Sequence, residues 1–191
     1  MQFFDSPFND NNSVEAGNFL LAEPLLDDPN FDRTVILVCQ HSEEGSFGLV
    51  VNRQTEISVS EATDLLEIEN KLFVGGPVEQ NTMHFLHTMT ELKESLIISE
   101  DIFWGGDFDN LQELALKGKI TKQNCRFFVG YSGWSELQLD AELENNTWII
   151  SKVNPKIMFQ HEPEQLWNAI LQEMGGKYKI YSNYPTDPRL N

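Results

Sequence analysis

Cys125 to Leu139, CRFFVGYSGWSELQL, hold the sharpest change of pattern in the chain. The apolar run Phe127, Phe128 and Val129 predicts a strand. Gly130 breaks that run, and the glycine-bracketed residues Tyr131, Ser132, Gly133 and Trp134 predict a turn. From Ser135 to Leu143 the pattern becomes helical. A strand, a tight turn and a helix start leave backbone N–H groups unpaired at one point in space. Gly75-Gly76-Pro77 and Gly105-Gly106-Asp107 end two further apolar runs, so the three breaks are expected to border a common surface.

Outward from this stretch, strands outnumber helices. Strands are expected in GNFLLAEPLL from Gly17, ended by Pro24, and in Arg33–His41, a β-branched run apolar on both faces. Phe47–Arg53 should form a hairpin with the latter through a loop containing Gly45. Further short strands are expected over Leu72–Val74, Met83–Thr88, Leu96–Ser99, Ile102–Trp104 and Thr147–Val153. Helices are expected over Ser60–Glu67 with Ser60 as cap, and over Asp107–Gly118 with Asp107 as cap and Gly118 as stop. A last helix runs from Pro163 to Met174, stopped by Gly175-Gly176. The strands arrive in groups rather than in strict βαβ alternation. That pattern predicts an α+β fold, with a mixed, mostly antiparallel, barrel-like sheet flanked by three or four helices. Residues 13–191 are expected to form one compact domain. Met1–Asn12 reads as a flexible leader, Asp27–Asn30 as a turn and Tyr181–Asn191 as a surface tail.

Thirteen Lys plus Arg stand against thirty Asp plus Glu, a formal net charge of −17. Such a chain is repelled by phosphate backbones and anionic lipid surfaces, so neither nucleic acid nor membrane is an expected partner. The N-terminus lacks a basic n-region and an apolar h-region, and no run is apolar enough to span a bilayer. The cytoplasm is therefore the expected location, with Cys39 and Cys125 as free, buried thiols.

The candidate chemistry is incomplete. Gly130-Tyr131-Ser132-Gly133-Trp134 resembles a nucleophile elbow, but Trp134 stands where the elbow needs glycine. His84 and His87 point to opposite sides of the expected strand, and no zinc spacing accompanies Cys39 and His41. No Walker or dinucleotide glycine pattern occurs. No metal, cofactor or catalytic set is assigned on these grounds. Arg33, crowded by Asp27, Asp28 and Asp32, and the pair Asn52-Arg53 at a strand end are the candidate anion contacts.

Taken in order, GNFLLAEPLLDDPNFDRTVILVCQH, GSFGLVVNR, LFVGGPV, FWGGD, RFFVGYSGWSELQLDAELENNTW, Leu166-Trp167 and the ending DPRLN resemble the AlgH/YqgE family of bacterial proteins. The resemblance covers nearly the whole chain from Gly17. It implies a compact α/β domain with a barrel-like, branched sheet and surrounding helices. No biochemical activity is established for the family, although one branch is named a transcriptional regulator of alginate production. Ser132 departs from the pattern, where alanine is common, as does Ser135-Glu136, where glycine-proline is common.

The expectation is a non-enzymatic cytoplasmic binding or regulatory protein, acting on transcription indirectly, with an unknown small molecule or protein as partner. Its cleft is expected to draw on Arg33, Thr34, His41, Asn52, Arg53, Gly75, Gly76, Gly105, Gly106, Asp107, Tyr131 and Trp134. A hydrolase using His41 or Asp107 is the alternative. A regulator that binds DNA directly is a third reading, disfavoured by the charge.

Overall fold

A computed structural model describes residues 13–24 and 32–183. Four strands come first: β1 (Phe19–Ala22), β2 (Val35–Ser42), β3 (Gly45–Val50) and β4 (Gln54–Ser58). The one-turn helix α1 (Val59–Ala62) leads to β5 (Lys71–Val74), β6 (Val78–His87), β7 (Leu96–Ser99) and β8 (Ile102–Trp104). Helix α2 (Phe108–Leu116), strand β9 (Cys125–Trp134), helix α3 (Gln138–Glu144) and strand β10 (Trp148–Ser151) follow. A 3-10 turn (Pro155–Phe159), α4 (Pro163–Met174) and α5 (Gly176–Tyr181) complete the fold. The leader over Met1–Asn12, the Asp27–Asn30 turn and the tail beyond Asn183 lie outside the described residues.

Strand β9 is the trunk of one ten-stranded sheet ordered β10-β1-β2-β3-β9-β6-β8-β7. Along one edge β9 pairs antiparallel with β6, from His87↔Cys125 to Val78↔Tyr131. Along the other it pairs first with β5, in parallel, at Phe127–Val129, and then antiparallel with β3 at Ser132–Trp134. The β4–β5 pair therefore branches from the main path. The sheet is open, and β5–β9 is its parallel pairing among the described residues.

The branch point is Gly130, with φ +67. The strand does not end there, contrary to the turn expected from the sequence. A left-handed glycine kinks a strand and changes its neighbour without ending its pairing. Two further glycines fill the junction. A Cβ on Gly75 would lie 2.3 Å from the Gly130 carbonyl oxygen, and one on Gly76 would lie 2.2 Å from the Tyr131 carbonyl carbon. Of the three glycine breaks, two are thus one interlocked crossing of backbones.

Neighbouring side chains of β9 point to opposite faces, so the sheet buries apolar surface on both. Phe128 enters the layer formed with Leu37, Leu49, Leu86, Leu166 and Trp167. Phe127 enters a second layer with Leu66, Leu111 and Leu114. Trp134 joins a third with Ile36, Val38, Leu139 and Trp148. Burying one such aromatic side chain contributes about 2–3 kcal/mol. Helix α4 lays Leu166, Trp167, Ile170 and Leu171 on the first layer, and Trp167 Nε1 donates to the Ala22 carbonyl at 3.0 Å.

Several boundaries differ from expectation for local reasons. The helix expected at Ser60–Glu67 is the single turn α1, capped by Ser58. The Ser58 hydroxyl accepts from Glu61 N while the Glu61 carboxylate accepts from Ser58 N at 2.6 Å, a reciprocal capping box. Helix α3 starts at Gln138, after Leu137 at φ +56, so Ser135–Leu137 lie outside it. Five helices flank the sheet among the described residues, because Gly175 (φ +69) ends α4 and the chain turns directly into α5.

Candidate functional site

Where β3, β6, β8 and β9 lie side by side, four rings gather at the sheet surface. The Phe47 ring lies 5.0 Å from Trp104, 5.2 Å from Tyr131 and 5.6 Å from His84. His84 stacks on Trp104 at 6.0 Å and meets Tyr131 edge-on at 5.7 Å. Separations of this size and tilt are those at which aromatic quadrupoles attract. Strand register sets the gathering. Phe47 pairs with Gly133 on β9, and because Gly133 lacks a Cβ the Tyr131 ring lies against its backbone. A Cβ there would come within 3.1 Å of Tyr131 Cε2.

These rings are only partly buried, and they wall a cleft of about 670 Å³. Gln40, Ser42, Glu44 and Ser46 of the β2–β3 hairpin give it a polar side, and Trp134 lines its end. Burial pushes the His84 imidazole below its ordinary pKa, against a smaller opposing pull from Glu79. At neutral pH His84 is uncharged. The Thr82 hydroxyl donates to the Glu79 carbonyl at 2.7 Å, so it accepts from His84 Nε2–H at 3.2 Å and leaves Nδ1 unprotonated. The cleft therefore offers flat apolar surface, neutral hydrogen-bonding groups and one negative charge, Glu44.

The expected site residues divide. Tyr131 and Trp134 line this cleft. His41 stands beside it, between the lining residues Gln40 and Ser42, with Nδ1 2.7 Å from Ser46 Oγ. Arg33, Thr34, Asn52 and Arg53 instead form a latch between the start of β2 and the segment after β3. The Asn52 amide accepts from Val35 N at 2.9 Å and donates to the Arg33 carbonyl at 2.8 Å. Arg53 donates to the Asp32 carbonyl and the Thr34 hydroxyl, and the Arg33 guanidinium lies 5.2 Å over the Trp167 ring.

Gly75 and Gly76 sit in the backbone crossing below the cleft. Gly105 follows Trp104 and turns away, its carbonyl accepting from His87 Nε2 at 2.9 Å, while Gly106 packs against Leu92 and Ser95. Asp107 caps α2, its Oδ1 accepting from Asn110 N at 2.7 Å, and no ion pair joins it to His41 among the described residues. Ser132 is buried, and its hydroxyl donates to the Gly75 carbonyl at 3.3 Å. Among the described residues no base is bonded to it, so it is not set up as a nucleophile. Among the described residues no three His, Cys, Asp or Glu side chains are grouped for a metal.

Phe47 and Trp104 carry no site signal in the sequence, and His84 enters there only beside His87, weighed as a metal ligand and not as part of the cleft. They lie far apart along the chain and carry no motif. The signal that links them is cross-strand register, which local pattern does not contain.

A family model described as AlgH-like matches residues 19–179. A UPF0301 protein of Cytophaga hutchinsonii is 46% identical over 181 residues, covering 93% of this chain and 100% of the relative. One from Pelodictyon phaeoclathratiforme is 40% identical over 185 residues, covering 96% and 99%. The solution structure of the AlgH protein from Pseudomonas aeruginosa matches with a TM-score of 0.72 at 26% identity, covering 93% of this chain and 97% of that one. An X-ray structure of a Corynebacterium diphtheriae protein matches with a TM-score of 0.75 at 20% identity, over 92% and 95%, a likeness of fold.

Proposed function

We propose, for a chain that belongs to the AlgH-like family, that it is a non-enzymatic binding protein whose aromatic cleft holds a flat, neutral or cationic heteroaromatic molecule. One observation carries the reading: Phe47, His84, Trp104 and Tyr131 present partly exposed rings to a single cleft of about 670 Å³. Flat apolar walls with a few fixed polar groups are the usual make-up of a small-molecule site. The ligand's charge follows from Glu44 and from a chain charge of −17, both of which oppose an anion.

Binding rather than turnover fits the lining. It contains serines, a neutral histidine and a carboxylate, but no serine–histidine–carboxylate relay joins them among the described residues. Cytoplasmic location and an indirect regulatory role belong to the same reading, with ligand occupancy altering the hairpin surface that a protein partner meets.

The test is calorimetric titration with indole and adenine as probes. Tyr131→Ala should weaken the better probe by about tenfold, the value of one lost ring contact. Tyr131 also packs against the main core, so circular dichroism first confirms that the variant is folded at the titration temperature. Equal binding by the parent chain and Tyr131→Ala would reject the cleft, as would no binding of any planar probe.

A further inference from the structure

A second cleft lies at the opposite end of β9 and owes nothing to the aromatic one. Arg126, the second residue of the strand, is 6% exposed, an unusual place for a cation. Its guanidinium donates to the Val51 carbonyl at 2.6 Å, to the Met158 carbonyl, and to the His161 carbonyl at 3.3 Å. It lies 4.8 Å over the Phe73 ring and 5.7 Å over the Phe159 ring. Among the described residues no carboxylate stands within ion-pair distance. Burial lowers its pKa to about 10, so it remains charged at neutral pH.

Beside this guanidinium opens a cleft of about 260 Å³. Lys71 and Lys122 line it together with Arg126, and Glu162 is the carboxylate among the lining residues. Three cations against one carboxylate is the reverse of the chain's balance of −17. Lys122 stands 3.8 Å from Glu162, and Lys71 bonds the Glu56 carbonyl and stands 4.0 Å from the Glu61 carboxylate just outside the cleft. The twelve-residue helix α4 begins at this cleft with Pro163 and has no side-chain cap, so its positive dipole end is turned the same way. Carbonyl acceptors alone account for Arg126 as a staple between strand and 3-10 turn. They do not account for two lysines and an uncapped helix end converging on the same space.

We propose that this cleft binds a small phosphorylated molecule, with its phosphoryl oxygens on Arg126, Lys71 and Lys122 and its hydroxyl groups on the side-chain amides of Gln54, Gln123 and Gln160. A guanidinium, two ammonium groups and a helix N-terminus are complementary to a tetrahedral dianion. The volume suits a molecule of roughly the size of a hexose phosphate. The incoming phosphoryl group displaces the Glu162 carboxylate from Lys122.

The full chain is titrated calorimetrically with inorganic phosphate and with glucose 6-phosphate at low ionic strength. The hexose phosphate is expected to bind more tightly than phosphate. Lys71→Ala and Lys122→Ala each weaken it about three- to tenfold, the value of one charge-assisted hydrogen bond at a half-exposed site. Glu162→Gln removes the competing carboxylate and tightens it by a similar factor. All three side chains are exposed, so these variants fold. No binding of either probe up to about 10 mM, or a hexose phosphate affinity indifferent to all three substitutions, overturns the proposal. Equal affinity for phosphate and hexose phosphate overturns the role given to the glutamines.

Discussion

Substituting Gly130→Ala tests whether the backbone crossing at the branch of the sheet holds the fold together. Gly130 takes φ +67, and a Cβ there would lie 2.6 Å from the Gly76 carbonyl oxygen and 2.8 Å from the Val78 carbonyl oxygen. Gly118, just past α2, supplies an internal control. Its φ is +66, yet nothing lies within 4 Å of its Cβ position. The left-handed conformation costs an alanine about 1–2 kcal/mol at either site. Only Gly130 adds crowding. An ordinary C···O contact is about 3.3–3.6 Å, so the neighbouring backbones must retreat by about half an ångström or more. Overpacking of that kind costs about 1–3 kcal/mol. Gly130→Ala should therefore lose about 2–5 kcal/mol of a total stability of about 5–15 kcal/mol. For a chain of this length the thermal midpoint falls about 2–4 °C per kcal/mol. Equilibrium urea unfolding, followed by circular dichroism, reads both variants. A Gly130→Ala loss equal to that of Gly118→Ala would refute the crossing as a structural constraint.

Three other outcomes are expected. Ser58→Ala removes one half of the capping box at α1 and should cost about 1 kcal/mol in a urea titration; an unchanged midpoint would contradict the cap's role. Burial, more than the opposing hydrogen bond to the Gly105 carbonyl and the charge of Glu91, holds the His87 imidazole below its ordinary pKa of 6.5. Its Nδ1 accepts from Met89 N at 3.1 Å, so His87 contributes stability above pH 6.5 that is lost as pH falls through its depressed folded value. NMR should find the Nε2–H tautomer and a titration below the ordinary value, whereas one at or above it would refute the assignment. Cys39 and Cys125 are buried, and burial pushes both thiols far up. A thiol reagent at mildly alkaline pH should label neither until urea unfolds the chain, and rapid labelling of the native protein would contradict that burial.

The parts legible in the sequence are those that local pattern determines. The run before His41 is β-branched and apolar throughout, and β2 buries Val35 through Cys39 on both faces. Pro163, an apolar stripe and Gly175 bracket α4 at the expected residues. Strand β4, QTEIS, carries no strand signal in the sequence, because its residues are mostly polar and its Ile57 is 52% exposed. At β9 the pair Gly130 and Gly133 reads locally as a turn. Glycine marks a turn in local terms, but here one permits a kink and the other gives the Tyr131 ring room.

The candidate site was legible only at Tyr131 and Trp134, which share one strand with Gly130 of the interlocking glycines. Phe47, His84 and Trp104 reach them through pairings distant in sequence. Arg33, Thr34, Asn52 and Arg53 drew notice as polar residues leaving a buried strand, and the structure joins them to one another and to nearby backbone. Arg126 sits within an apolar run, where nothing local marks it as the wall of a cleft.

The aromatic cleft is tested most directly by indole N–H signals in a two-dimensional NMR spectrum of the labelled full chain, recorded with and without indole. The chain has four Trp, and they are placed differently. Trp104 and Trp134 line the cleft, while Trp167 is buried under α4 with its Nε1 bonded to the Ala22 carbonyl. The account predicts a saturable shift at Trp104, a smaller one at Trp134, and a stationary Trp167. A stationary Trp104 while Trp167 moves, or four unmoved signals at a probe concentration of about 10 mM, would contradict it.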